Sequence, residues 1–350
     1  MKPFAWYLVG LGSMLWLSAG ASAAAPNAPA RDAPRCARVV VVHDPGATLT
    51  FTPQLAPVCT MVDRAMTHLT AQATPGEAWR SLVTTQDIVG LKVFSRPGAT
   101  SGTRPAVVEA VVKGLLAAGL PPRQVIVWDK NIADLRQAGF FRLAERYGVR
   151  VAGSAEAGYD EKVAYETPLL GQLIWGDVEF GRTGQGVGRR SFVSKLISEM
   201  TKVITVAPLL NHNLAGVSGH LYGLAMGSMD NTLRFETSGD RLADAVPDAL
   251  ILDVFYDRLT FHITDALICQ YEGEERQLLH YSKPLNELWF SKDPVALDVL
   301  AVEELNRQRQ AAGAPGVKAS LQLYENASLV WLGVSNPRQI EVVRLPERTE

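Results

Sequence analysis

The chain alternates short, densely apolar runs with longer stretches in which apolar residues recur at helical spacing. ARVVVVH at 37–43 reads as a strand, and PVCTMVDRAMTHLTAQ after it carries the period of an amphipathic helix. DIVGLKVFS, ending at Ser95, predicts a second strand. TRPAVVEAVVKGLLAAG predicts a helix stopped by Gly119, and QVIVWD from Gln124 a third strand ending in an acid. Strand, helix, strand with crossovers of this length suits parallel pairing. VRVAG after Gly148 is a short strand, SFVSKLISEMT a compact helix, and KVITVAP a strand buried on both faces. PDALILDVF, LTFHITDALI and NELWFS follow. SKDPVALDVLAVEELNRQR predicts the clearest helix, capped by Asp293 with Pro294 in its first turn. A helix in LQLYENASLVWLG and a strand in QIEVVRL come last. The expected fold class is α/β: a mostly parallel open sheet with helices on both faces, forming a single elaborated domain over 37–346.

Residues 1–25 depart from that pattern. One early lysine, an uncharged apolar stretch and the small-residue end Ala21-Ser22-Ala23 have the order of a secretory signal peptide, with a retained membrane anchor as the alternative. Residues 26–36 then form a flexible segment. Removal of the signal leaves no membrane span and places the protein in the periplasm or outside the cell. A net charge of −2 with no block of like charge gives no nucleic-acid surface. Cys36, Cys59 and Cys269 match no cluster-binding spacing, so a protein-held iron-sulfur cluster is not expected; Cys36 and Cys59 are candidates for a disulfide.

Open α/β sheets bind ligands beyond the C-terminal ends of their parallel strands. Polar residues expected there are Lys92 and Ser95, Asp129 to Asn131, His212 with Asn213, Asp265, and Lys292 with Asp293. His212 and His220 are separated by eight residues across Gly216 and Gly219. If those glycines fold the chain back, two neutral imidazoles and Asp265 can hold a divalent transition metal; a structural hydrogen-bonding role is the alternative. Gly216, Gly219, Asn213 and Lys292 are the candidates for contacting a cofactor or anion. In a catalytic reading, His212 is ligand or general acid/base, Asp265 or Asp129 its orienting carboxylate, and Lys92 stabilises negative charge. GRTGQGVGRRS lacks the glycine-lysine step of a Walker motif. The segment is expected to be a mobile loop, in which Arg182, Arg189 and Arg190 either clamp a carboxylate or phosphate or remain solvated.

VGLKVFSRPG, VIVWDKN, VITVAPLLNHNLAGVSGHLYGLAMGSMDN, ITDALICQYEG and SKDPVALDVLAVEEL, in this order over 88–309, resemble the family catalogued as domain of unknown function 362. Members often carry lysines beside the central histidine and in the following helix, a glycine-glycine-proline after the later strand, and ferredoxin-like cysteine modules. Here Asn211, Tyr222 and Gly273-Glu274-Glu275 stand in those places and the cysteine module is absent. The resemblance implies a scaffold for a small molecule, anion or cofactor around His212. The departures leave open a noncatalytic binding or assembly factor with a protein partner.

Overall fold

The computed structural model describes residues 36–180, 188–317, 319 and 321–347. The signal-peptide expectation, nearly all of the flexible segment and Arg182 lie outside them.

Nine of the described strands make one mixed, mostly parallel sheet. In chain order the strands used below are β1 (Ala37–His43), β2 (Val89–Val93), β3 (Val125–Asp129), β4 (Arg150–Gly153), β5 (Tyr159–Glu166), β6 (Arg190–Ser194), β7 (Lys202–His212), β8 (Gly216–Val217), β9 (Leu259–Gln270), β10 (Ser282–Ser291) and β11 (Ile340–Arg344). The sheet order is β11-β1-β10-β9-β7-β2-β3-β4, with β8 folded back on β7. β5 and β6 pair as a separate antiparallel ribbon. The principal helices are α1 (Leu55–Thr70), α2 (Pro105–Ala117), α3 (His220–Ser228), α4 (Gly239–Leu250), α5 (Pro294–Ala311) and α6 (Gln322–Leu329).

Alternation along the strands divides the core in two. Val89, Leu91, Val93, Ile204, Val206, Phe261 and Ile263 pack against α1 and α2 on one face. Trp128, Val203, Ala266 and Trp289 share the other face with α3 to α6. The α/β architecture with helices on both faces therefore follows from period-two strands whose two sides are each apolar enough to be covered.

Local signals hold where they are strong. Pro105 opens α2, and Gly119, at φ +96°, follows its end as expected of a glycine stop. Asp293 caps α5 by accepting the Ala296 amide at 2.9 Å.

Three expectations change. SFVSKLISEMT is not one helix: its first residues pair with β5 as β6, and only Lys195–Glu199 is helical. The Phe192 amide donates to Asp230 Oδ1 at 2.5 Å, so tertiary pairing overrides helical spacing. The three cysteines are free thiols, with Cys59 Sγ receiving the Lys113 ammonium at 3.6 Å. Finally, β10 runs antiparallel to β1 and β9, and Ser291 at its end pairs with His262 near the start of β9. Lys292, expected among the strand-end ligands, consequently emerges exposed at the opposite end of the sheet.

Candidate functional site

β2 and β7 are parallel neighbours whose following helices leave on opposite faces, α2 on one and α3 on the other. Such a divergence opens a crevice past the strand ends. Here it is a cleft with two adjoining lobes. The first, about 340 Å³, is walled by Phe94 after β2, Asp129, Lys130 and Asp134 at and after β3, Asp177, and Tyr222 and Gly227 of α3. The second, about 240 Å³, lies between His212 at the end of β7 and Glu274–Arg276 after β9. Arg96, Tyr222, Glu236 and Glu275 border both lobes.

Asp129 lies at the floor of the first lobe, with Lys92 buried behind it. Their side chains meet at 2.8 Å, and Lys92 Nζ also donates to the Val93 carbonyl. Asp129 Oδ2 accepts both the Ser95 amide and its hydroxyl at 2.7 Å. Burial lowers the Lys92 pKa and Asp129 opposes that shift. Asp129 thus fixes Lys92 and Ser95, and not a histidine.

A polar row continues from this pair beneath α3. Lys92 pairs in register with Thr205, Thr205 with His262, and His262 with Ser291; all four are buried. Thr205 Oγ1 lies 2.6 Å from His220 Nδ1 and 2.7 Å from His262 Nδ1, while His220 Nε2 reaches Thr264 Oγ1 at 3.0 Å. His262 Nε2 has no partner among the described residues. A bare ring nitrogen is less costly to bury than an unused N–H. The favoured order is therefore His262 Nδ1–H to Thr205, Thr205 to His220 Nδ1, and His220 Nε2–H to Thr264. Burial holds His220 well below the usual imidazole range and His262 down to about 3.

His212 occupies a different environment. Its ring packs on Tyr222 with centroids 4.2 Å apart, and Nδ1 accepts the amides of Leu214 and Ala215 at 3.3 and 3.0 Å. Because both donors are backbone N–H groups, the neutral imidazole carries its proton on Nε2. Burial lowers its pKa, against the opposing fields of Glu274 and Glu236. His212 is therefore built as a hydrogen-bond donor to the second lobe.

The metal arrangement expected from His212, His220 and Asp265 does not form. His220 engages both ring nitrogens far back along β7, and His212 Nε2 carries a proton where a metal would need a lone pair. Asp265 lies inside β9 on the face beneath α2, fully buried, with the Arg104 guanidinium at 3.0 Å and the Arg104 amide at 2.9 Å. Its role there is to pair Arg104 and cap the approach to α2. Among the described residues no group of three histidine, cysteine or acidic side chains is placed to hold a metal ion.

Gly216 and Gly219 also serve packing. A Cβ on Gly219 would sit 2.1 Å from Asp298 Oδ1, whose carboxylate accepts the His220 and Leu221 amides at the start of α3. A Cβ on Gly216 would lie 2.9 Å from Val302 of α5, the helix that also carries Asp298. Asn213 donates its amide to Glu274 Oε1 at 2.8 Å, and Asn211 Oδ1 accepts the Glu274 amide at 3.0 Å. Tyr222, Glu274 and Glu275 thus border one lobe, with Asn211 holding Glu274 from behind. Lys130, within the stretch Asp129 to Asn131 expected at a strand end, does border the first lobe. Arg96, Glu236 and Arg276 complete the cleft without having been singled out, since nothing in their local sequence marks them.

The model of the family described as domain of unknown function (DUF362) matches residues 89–303. The chain belongs to this family. No curated protein matches the chain. Among solved structures, the lactate racemase apoprotein from Thermoanaerobacterium thermosaccharolyticum aligns at 12% identity and a TM-score of 0.40, over 80% of this chain and 59% of that one. The DUF362 match spans β2 to α5 and so contains every strand whose end borders the cleft. No helix among the described residues is long and apolar enough to cross a membrane.

Proposed function

We propose that this DUF362 protein binds a small organic anion in the strand-end cleft, outside the cytoplasm, with His212 as the anchoring donor. The observation that carries this reading is the fixed tautomer of His212, which gives the second lobe a neutral N–H beside Arg96 and Arg276. Glu275 is already paired with Arg96 at 2.9 Å, and Glu274 is held by the Asn213 amide. These pairings leave His212 Nε2–H and Arg276 to meet an incoming carboxylate or carbonyl oxygen. The buried Lys92–Asp129 pair keeps the floor rigid. No metal enters the reading, because the donor set does not suit one.

The test is calorimetric titration of small carboxylates into wild type and His212→Phe, with elemental analysis of both. Binding weakened at least about tenfold by loss of the donor is expected. Affinity unchanged in His212→Phe, or a stoichiometric metal lost with the histidine, overturns it.

A second reading, a noncatalytic factor that docks a protein, is favoured by the apolar rim beside the first lobe. Trp175 is 88% exposed and meets Phe180 edge to face at 5.8 Å, next to the cleft residue Ile174. Solvent-facing aromatics of this kind are frequent anchors of interfaces. Trp175→Ser abolishing a stoichiometric complex, with carboxylate binding absent, would favour that reading.

A further inference from the structure

We propose that Lys130 is an amine nucleophile and that the ligand of the cleft is an oxo acid, whose carbonyl carbon Lys130 attacks. The proposal rests on the anion-binding reading above and gives the ligand a second functional group.

The contrast between the two lysines carries it. Lys92 is sealed beneath α3 and committed to Asp129 and the Val93 carbonyl. Lys130 borders the first lobe, and its Nζ donates to the Thr232 hydroxyl at 2.8 Å. Its main chain is held by the bond from the Ala155 amide to the Lys130 carbonyl. Among the described residues no carboxylate makes a direct ion pair with it. Burial lowers the pKa of Lys130, opposed by the more distant charges of Glu236, Asp177, Asp230 and Asp129. An amine that is desolvated, aimed by a hydroxyl and free of a direct counter-ion is the arrangement in which lysine attacks carbonyls.

The chemistry balances without an oxidant or reductant. The neutral amine nitrogen bonds to the carbonyl carbon and passes one of its protons to the carbonyl oxygen, giving a neutral carbinolamine. That oxygen takes a second proton from solvent and leaves as water, and the nitrogen lone pair closes the carbon-nitrogen double bond. The resulting protonated imine places a positive charge near Asp177 and Glu236, which favour it. The carboxylate of the oxo acid is directed from the first lobe toward the second, where His212 and Arg276 stand.

The probe is glyoxylate with cyanoborohydride at pH 7, read by peptide mass spectrometry of the full-length protein. Lys130 is expected to be carboxymethylated at least several-fold faster than exposed Lys113 or Lys292, since its lowered amine pKa raises the neutral fraction and the lobe holds the aldehyde beside it. Lys130→Arg, which retains the charge, should remove the fast site, and Thr232→Val should slow it. Labelling of Lys130 no faster than of Lys292 overturns the proposal. Saturation-transfer NMR of glyoxylate without reductant separates the two levels. Glyoxylate bound while Lys130 stays unlabelled overturns the amine chemistry alone. Neither binding nor labelling overturns the oxo-acid proposal together with anion binding for this class.

Discussion

Leu91 and Lys92 are consecutive residues of β2, both buried, and they point to opposite faces of one sheet. Around Leu91 the neighbours are Val89, Val127, Ile204 and the apolar sides of α1 and α2. Around Lys92 they are Asp129, Thr205 and the helix start that carries His220. The first face is held by close packing, whose strength is additive and tolerant of shape-conserving change. The second, apolar elsewhere, carries at this strip a chain of mutually satisfying polar groups, in which losing one member strands the next. The cleft borders the second.

Lys92→Met should show the largest effect, because it leaves Asp129 buried with only Ser95 for a partner; a loss of about 3–5 kcal/mol is expected. Combining it with Asp129→Leu should restore part of that stability, as removing both charges removes the stranded one. Leu91→Ala, one residue away, should cost about 2–5 kcal/mol through a cavity, with no restoration by any change at Asp129. Denaturant midpoints of the four proteins decide the matter. Equal behaviour of the single and double variants at Lys92 would show that the two faces are held in the same way.

The fold was legible because its signals are local. The apolar run at 37–43 became β1 with the expected ends, and the Asp293 cap and the α2 start followed from residue types at fixed offsets. The site was less so, because it depends on strand direction and on side-chain parity. Lys292 follows a strand as Asp129 ends one, yet β10 is antiparallel and carries it to the far end. Asp265 alternates onto the α2 face, away from His212. Lys92 and Asp129 were expected near the site, and β2 and β3 bring them together, but their partnership depends on the pairing of Lys92 with Trp128. The His212 tautomer required knowing that Leu214 and Ala215 turn their amides back onto its ring.

Helix α3 tests the polar face from above. A Cβ on Gly227 would lie 2.4 Å from Lys92 Cε and 3.0 Å from Asp129 Oδ1, whereas one on Gly223 would meet nothing nearer than Phe94 at 3.7 Å. Alanine is the better helix former by about 1 kcal/mol at both positions. Gly223→Ala should therefore be neutral or stabilising. Gly227→Ala should destabilise by about 1–3 kcal/mol, since the committed Lys92–Asp129 pair cannot move aside. Thermal unfolding of both variants reads the difference, and similar melting temperatures would mean that α3 can lift from the floor.

The smallest expected effect is a pH slope, and it isolates the middle of the polar row. The His262 pKa is near 3 in the folded protein, below its ordinary 6.5. Between those values the unfolded chain binds a proton that the folded one refuses, so stability is lost as pH falls from 6.5 toward 3. Asp298, raised to about 7, and Asp293, raised to about 6, act in the opposite sense: folding favours their protonated forms, so acidification stabilises them. The wild-type profile mixes both contributions. His262→Leu removes one imidazole and leaves the carboxylates, so the difference between the two profiles reports the histidine. Relative to wild type, the variant should gain roughly 1 kcal/mol between pH 6.5 and 5.5, within the limit of about 1.4 kcal/mol per pH unit for one proton. At pH 7 it should be the weaker protein, because Thr205 loses a partner at 2.7 Å. Parallel denaturant profiles across that range would mean that His262 takes up its proton in place, through the unused Nε2, and that the polar row is open to water.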